Sequence, residues 1–152
     1  MRYTIPGHES FDIETLILDL NGTIAIDGKL IEGVKERIDA LRGSLRILLF
    51  SGDTQGTAAE IAKELQIELR LTPDAAAKAA EAQTLDPQTC ATIGNGRIDL
   101  ELFKTVRLRI LTIQVEGAHP QTLLESDIVT TSILDALDLF LKPKRLIATI
   151  RK

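Results

Sequence analysis

Six short apolar runs punctuate the chain: Leu16 to Leu20, Leu45 to Phe50, Ile67 to Leu71, Cys90 to Ile93, Leu108 to Ile113 and Asp127 to Thr130. Each is rich in Leu or β-branched residues and ends in turn residues, which predicts strands buried on both faces. Between them the apolar positions fall three and four apart, as in Val34, Ile38 and Leu41, and again in Ala58, Ile61, Ala62 and Leu65. That spacing puts one apolar face on a helix. Gly43 is placed to close the first helix in the left-handed conformation. Ser132, with Asp135 three residues on, resembles a capping box opening a helix from Ile133 to Phe140. Strand and helix alternating so often predict the α/β class: a doubly wound parallel sheet with right-handed crossovers, covered on both sides.

The alternation breaks once, between Thr23 and Ile31. There Ile24-Ala25-Ile26 and Lys29-Leu30-Ile31 flank Asp27-Gly28, and Asp-Gly between apolar runs predicts a hairpin because a primed turn needs positive φ. Neither a repeat nor a Gly, Ser or Pro linker divides the rest, so residues 1–152 are expected to form a single core domain with a small hairpin insert at 23–31.

Composition narrows the function classes. A net charge of -4 with no basic run argues against nucleic acid as a partner. No segment reaches the roughly 18 apolar residues of a membrane span, and the N-terminus lacks an apolar signal core. The lone Cys90 cannot form an internal disulfide and lies in an apolar run, so the expectation is a buried thiol in the reducing cytoplasm. His8 and His119 fall near a terminus and before Pro120, where a surface role is expected. Lys142, Lys144 and Arg145 form a basic cluster that reads as a solvated face or an oligomer contact.

In doubly wound sheets ligands bind beyond the carboxyl ends of the strands, so the residues after each strand are the ones to search. Asp19 leaves the first strand into the turn Leu20-Asn21-Gly22-Thr23. The second strand ends in Ser51-Gly52-Asp53-Thr54, a hydroxyl and free turn amides suited to a phosphate oxygen. The fourth ends in Gly94-Asn95-Gly96-Arg97-Ile98-Asp99, and Lys78 lies on the Ala-rich helix before it. Each also has a plain structural reading. Asp19 can form an Asx turn; Asp53 or Thr54 can cap a helix; Lys78 can sit on a solvated face; Asp99 can favour the dipole of a helix from Leu100 to Val106.

Taken together and in chain order, Asp19, Ser51, Lys78 and Gly94 to Asp99 resemble the four signature motifs of the haloacid dehalogenase superfamily. The segments Asp-x-Asn-Gly-Thr, Ser-Gly-Asp and Gly-Asn-Gly-Arg-x-Asp look like the soluble relatives of the P-type ATPase phosphorylation domain. The resemblance implies a phosphohydrolase or phosphotransferase in which Asp19 attacks phosphorus to form an aspartyl phosphate. It implies Mg2+ held by the Asp19 carboxylate and the Asn21 backbone carbonyl, with Asn95 at a metal-ligand position and Asp99 completing or supporting the shell. Ser51, Gly52 and Lys78 would bind the phosphoryl group.

Three positions depart from the family pattern. Asn21 stands where most of its phosphatases carry the aspartate that protonates the leaving group, which implies low turnover. Asn95 replaces an acidic metal ligand and Ile98 an asparagine. These same residues suit an alternative, a catalytically degenerate domain that binds phosphate or a protein. A receiver-type phosphoacceptor fits less well, because there the acceptor follows the third strand. Neither stretch in which the family inserts a cap domain is long enough to hold one here. The open site then calls for a large phosphorylated substrate or a neighbouring subunit, and a homo-oligomer is expected, with the 23–31 hairpin near a partner's site.

Overall fold

The computed structural model describes residues 1–53 and 56–152; the capping role considered for Thr54 lies outside the described residues. An antiparallel ribbon opens the chain, β1 (Arg2–Tyr3) with β2 (Phe11–Asp12). The body is built from β3 (Thr15–Asp19), β6 (Arg46–Ser51), β7 (Glu68–Leu71), β8 (Cys90–Gly94), β9 (Leu108–Thr112) and β10 (Ile128–Thr130). These six strands form one sheet in the order β10-β9-β8-β3-β6-β7, with every neighbouring pair parallel. β3 lies centrally, and the order reverses between β3 and β8, the switch point at which such sheets open a crevice. Between β3 and β6 come the hairpin strands β4 (Ala25–Ile26) and β5 (Lys29–Leu30), then α1 (Val34–Leu41). The remaining helices are α2 (Thr57–Leu65), α3 (Ala75–Gln83), α4 (Leu100–Thr105), α5 (Pro120–Leu124), α6 (Ile133–Leu141) and α7 (Pro143–Ile150).

Alternation along each strand assigns side chains to the two faces. Leu16, Leu18, Leu49, Ala91, Ile93 and Ile110 join Ile38 of α1, Ile61 of α2, Leu137 of α6 and Leu146 of α7 in the larger core. Ile17, Leu48, Phe50 and Cys90 point the other way, to Ala82 of α3 and Leu102 of α4. Each fully buried Leu, Ile or Phe stabilises the fold by about 1.5–3 kcal/mol, so both layers anchor β3, the strand that carries Asp19.

Burial on both faces holds for the inner strands, but not for the two edges. β7 is exposed or half-exposed throughout, and Val129 of β10 is exposed. The other correction concerns Gly43, which has no positive φ: α1 ends at Leu41, its cap Arg42 is right-handed, and the N–H groups of Ser44 and Leu45 donate to the Leu41 carbonyl, so no left-handed residue is needed. Ser132 does cap α6, its hydroxyl accepting from the Leu134 N–H at 3.0 Å. The Asp-Gly turn is as the pattern predicts, with Asp27 at φ 51 and Gly28 at φ 75 between the paired strands β4 and β5.

Candidate active site at the switch point

The carboxyl ends of β3, β6 and β8 open into a cleft of about 790 Å³. Asp19, Asn21, Ser51, Gly52, Lys78 and Asn95 all line it. The fold thus brings together six of the seven residues singled out from the sequence. The seventh, Asp99, lies in the wall behind, fully buried.

Asp19 is the last residue of β3 and 8% exposed. Its Oδ1 accepts from Lys78 Nζ at 2.5 Å and its Oδ2 from the Thr23 hydroxyl at 3.0 Å. Lys78, only 1% exposed, reaches in from α3 and also donates to Asp99 Oδ1 at 2.7 Å. It is therefore a buried cation and not part of a solvated face. The Ala-rich sequence around it lets α3 approach closely enough for the lysine stem to cross the core. The other oxygen of Asp99 accepts from the N–H groups of Asn95 at 3.1 Å and Gly96 at 3.0 Å. Through these contacts Asp99 fixes both Lys78 and the Asn95 turn.

Two carboxylates share one ammonium here, so ionising both leaves a net negative charge in a buried place. Burial raises the Asp19 pKa, the Asp99 charge raises it further, and Lys78 and Thr23 only partly offset this, leaving it at about 6. For Lys78 burial works against the charge, but the two carboxylates outweigh it and hold the ammonium above the ordinary lysine range.

Two glycines make the geometry possible. Gly22 turns at φ 77, and a Cβ there would lie 2.3 Å from Asn95 Nδ2. A Cβ on Gly94 would lie 2.6 Å from Asp99 Oδ2. The hairpin folds over the cleft of its own chain: Asp27, Gly28 and Lys29 line it, and a Cβ on Gly28 would be 3.9 Å from the Thr57 methyl at the start of α2. The N-cap position of α2 is Gly56, not Asp53 as expected, although Asp53 Oδ2 accepts from the first-turn N–H of Ala58 at 3.0 Å.

Three contributors were not singled out from the sequence. Thr23 donates to Asp19 or to Asn95 Oδ1, 3.2 Å away. Gln114 follows β9, and its amide donates to the carbonyls of Gly22 at 3.0 Å and Thr23 at 2.8 Å while its oxygen accepts from the Ile133 N–H. His119 was expected at the surface, yet it is partly buried because the loop after β9 folds back, and its N–H donates to the Asn95 carbonyl at 2.8 Å. Searching the residue just after the fifth strand, by the rule used for the others, finds Gln114; nothing in the sequence flags His119.

Among the described residues no three His, Cys, Asp or Glu side chains gather as a metal cluster. The described cleft lining offers oxygen donors: the carboxylates of Asp19, Asp27 and Asp53, the hydroxyls of Ser51 and Thr57 and the amide oxygens of Asn21 and Asn95. Such a set fits a hard cation such as Mg2+, which uses one or two carboxylates and keeps several waters, and it does not fit a soft one.

No family model matches the chain. Two uncharacterized proteins of Methanocaldococcus jannaschii resemble parts of it. One is 52% identical over 59 residues, 39% of this chain and 63% of that protein; the other is 56% identical over 39 residues, 26% of this chain and 89% of that protein. The chain thus spans under two thirds of the first of these. Among solved structures, one from Streptomyces avermitilis assigned to the HAD family hydrolases is 25% identical with a TM-score of 0.70, covering 88% of this chain and 87% of that one. The cobalt-bound deoxy-D-mannose-octulosonate 8-phosphate phosphatase of Haemophilus influenzae has a TM-score of 0.73 at 14% identity, covering 93% and 94%. The 3-deoxy-D-manno-octulosonate 8-phosphate phosphatase of Moraxella catarrhalis, in complex with magnesium, phosphate and the sugar acid, has a TM-score of 0.69 at 20% identity, covering 91% and 94%. By its strand order, by the position of its four motifs around one cleft and by this likeness, the chain is a member of the haloacid dehalogenase superfamily.

Proposed function

We propose that the protein is a Mg2+-dependent phosphohydrolase or phosphotransferase that works through an aspartyl phosphate on Asp19. The observation that carries this reading is one ionisable carboxylate at the tip of the central strand, facing the cleft and held by Lys78 on one oxygen and Thr23 on the other. Both phosphatases described above, whose structures hold a divalent metal, share the fold.

Asp19 supplies the attacking oxygen. Ser51 and the Gly52 backbone, both lining the cleft, bind the phosphoryl oxygens; a Cβ at 52 would come within 3.2 Å of the Thr72 carbonyl, so glycine lets the chain after β6 pack closely on the chain after β7. Lys78 places a fixed positive charge beside the reacting oxygen, and Asp99 keeps that charge in position. The Asp19 carboxylate, the Asn21 carbonyl and the Asn95 side-chain oxygen would hold Mg2+, which when bound offsets the negative charge that gathers on the phosphoryl group. Substrates are phosphorylated small molecules or macromolecules, the setting is the cytoplasm, and the working form is a homo-oligomer.

Hydrolysis of p-nitrophenyl phosphate with Mg2+ tests the reading. Slow turnover that Asp19→Asn abolishes is expected; turnover unchanged in that variant rejects it. A second reading is a degenerate binding module, favoured by the neutral Asn21 and Asn95 at positions where the family uses acids. On that reading the native protein binds phosphate without turnover, and Asn21→Asp with Asn95→Asp creates activity.

A further inference from the structure

Resting on the reading of Asp19 as the attacking group, we infer that the site acts on phosphoryl groups whose leaving group departs without a proton, such as acyl phosphates and phosphoanhydrides, and not on alkyl phosphomonoesters.

Asn21 lies two residues after Asp19, in the turn that leaves β3. Its side chain is exposed at the cleft, and its backbone is fixed by a bridge to Ala25 while the Gly22 N–H donates to the Ala25 carbonyl at 2.8 Å. The turn therefore presents position 21 to the ligand, but with an amide that can neither give nor take a proton at neutral pH. No His, Cys, Glu or Tyr is among the described residues lining the cleft. Lys78 is committed to two carboxylates, and Asp53 accepts from the first turn of α2. The two remaining titratable side chains, Asp27 and Lys29, both sit on the hairpin.

In the first step an Asp19 oxygen forms a bond to phosphorus as the bond from phosphorus to the leaving oxygen breaks, and the electron pair stays on that oxygen. A carboxylate, with a pKa of about 4, or a phosphate, with a second pKa of about 6, leaves readily as the anion. An alkoxide does not, because its basicity is close to that of hydroxide, far above that of a carboxylate or a phosphate. In the second step water attacks the aspartyl phosphate, the bond to the Asp19 oxygen breaks, the carboxylate is restored and the proton passes to bulk solvent. No base at position 21 assists this step, so the phosphorylated form accumulates.

The test compares acetyl phosphate, p-nitrophenyl phosphate and glycerol 3-phosphate as substrates of the full chain with Mg2+, in the native protein, Asn21→Asp, Asp27→Asn and Asp19→Asn. The inference expects kcat/KM to fall steeply from acetyl phosphate to glycerol 3-phosphate. It expects Asn21→Asp to raise kcat/KM on glycerol 3-phosphate by about 10²- to 10⁴-fold and to speed breakdown of the phosphorylated form that acetyl phosphate builds up. Similar native rates on all three, lost in Asp19→Asn, overturn the inference while the role of Asp19 stands. Loss of glycerol 3-phosphate turnover in Asp27→Asn overturns it too, since the proton then comes from the hairpin. If Asp19→Asn changes no rate on any substrate, or no substrate turns over, both the inference and the reading beneath it fall.

Discussion

At the scale of single residues the site is an unequal charge count, two buried carboxylates around one ammonium. Removing Lys78 leaves both acids without a counter-charge, and truncation of one partner in a buried ion pair costs about 3–5 kcal/mol. Lys78→Ala is expected to lower unfolding stability in urea by that much near neutral pH. The raised pKa of Asp19 sets a second expectation. Because its folded value of about 6 lies above the ordinary 3.8, the native state binds the proton more tightly than the unfolded chain does. The stability this contributes is present below the unfolded value and is lost as pH rises through about 6. Metal-free native protein should therefore lose stability relative to Asp19→Asn between about pH 4 and 6, as read from paired melts. A difference that stays constant with pH contradicts this. Asp99→Asn removes a negative charge from beside Asp19 and is expected to shift that window downwards.

At the scale of elements, the strand ends depend on loops that brace one another. Gln114 ties the loop after β9 to the turn after β3 and to the start of α6 through three hydrogen bonds. Leaving buried polar partners unmatched costs about 1–3 kcal/mol each. Gln114→Ala is thus expected to lower stability by at least about 1 kcal/mol and to reduce turnover, because the Asp19 turn loses its brace; calorimetry and initial rates read the two effects. Gly94→Ala should be more damaging than an ordinary surface Gly→Ala, since its methyl would collide with Asp99. These braces also mark what the sequence disclosed. All six strands of the main sheet and the Asp27-Gly28 turn were legible because period, turn chemistry and length agree there. Asp19, Ser51 and Asn95 were legible because they end or directly follow strands. Lys78 was legible only through the family motif, since its helix alone reads as a solvated face. Gln114 and His119 act through contacts between loops far apart in sequence, which periodicity does not encode, whereas Thr23 lay within the Asp-x-Asn-Gly-Thr segment without being given a role. Gly43 misled because a right-handed turn served where a left-handed cap was expected.

At the scale of the whole molecule, the parallel sheet collects four distant segments at its switch point and sets the Asp19 carboxylate at the end of its central strand, facing the cleft. The hairpin lines the cleft of its own chain, and the proposed homo-oligomer is read by solution scattering, where a particle larger than one chain is expected and a strict monomer rejects it. No helix among the described residues is long and apolar enough to cross a membrane. The central claim is chemical, that phosphorus bonds to Asp19. It is tested most directly by incubating the protein with acetyl phosphate and Mg2+, quenching in acid and locating the added mass by peptide mass spectrometry. The account predicts one phosphoryl group on the peptide that carries Asp19 and none in Asp19→Asn. A phosphoryl group on another residue, or a native protein whose mass never changes, contradicts it.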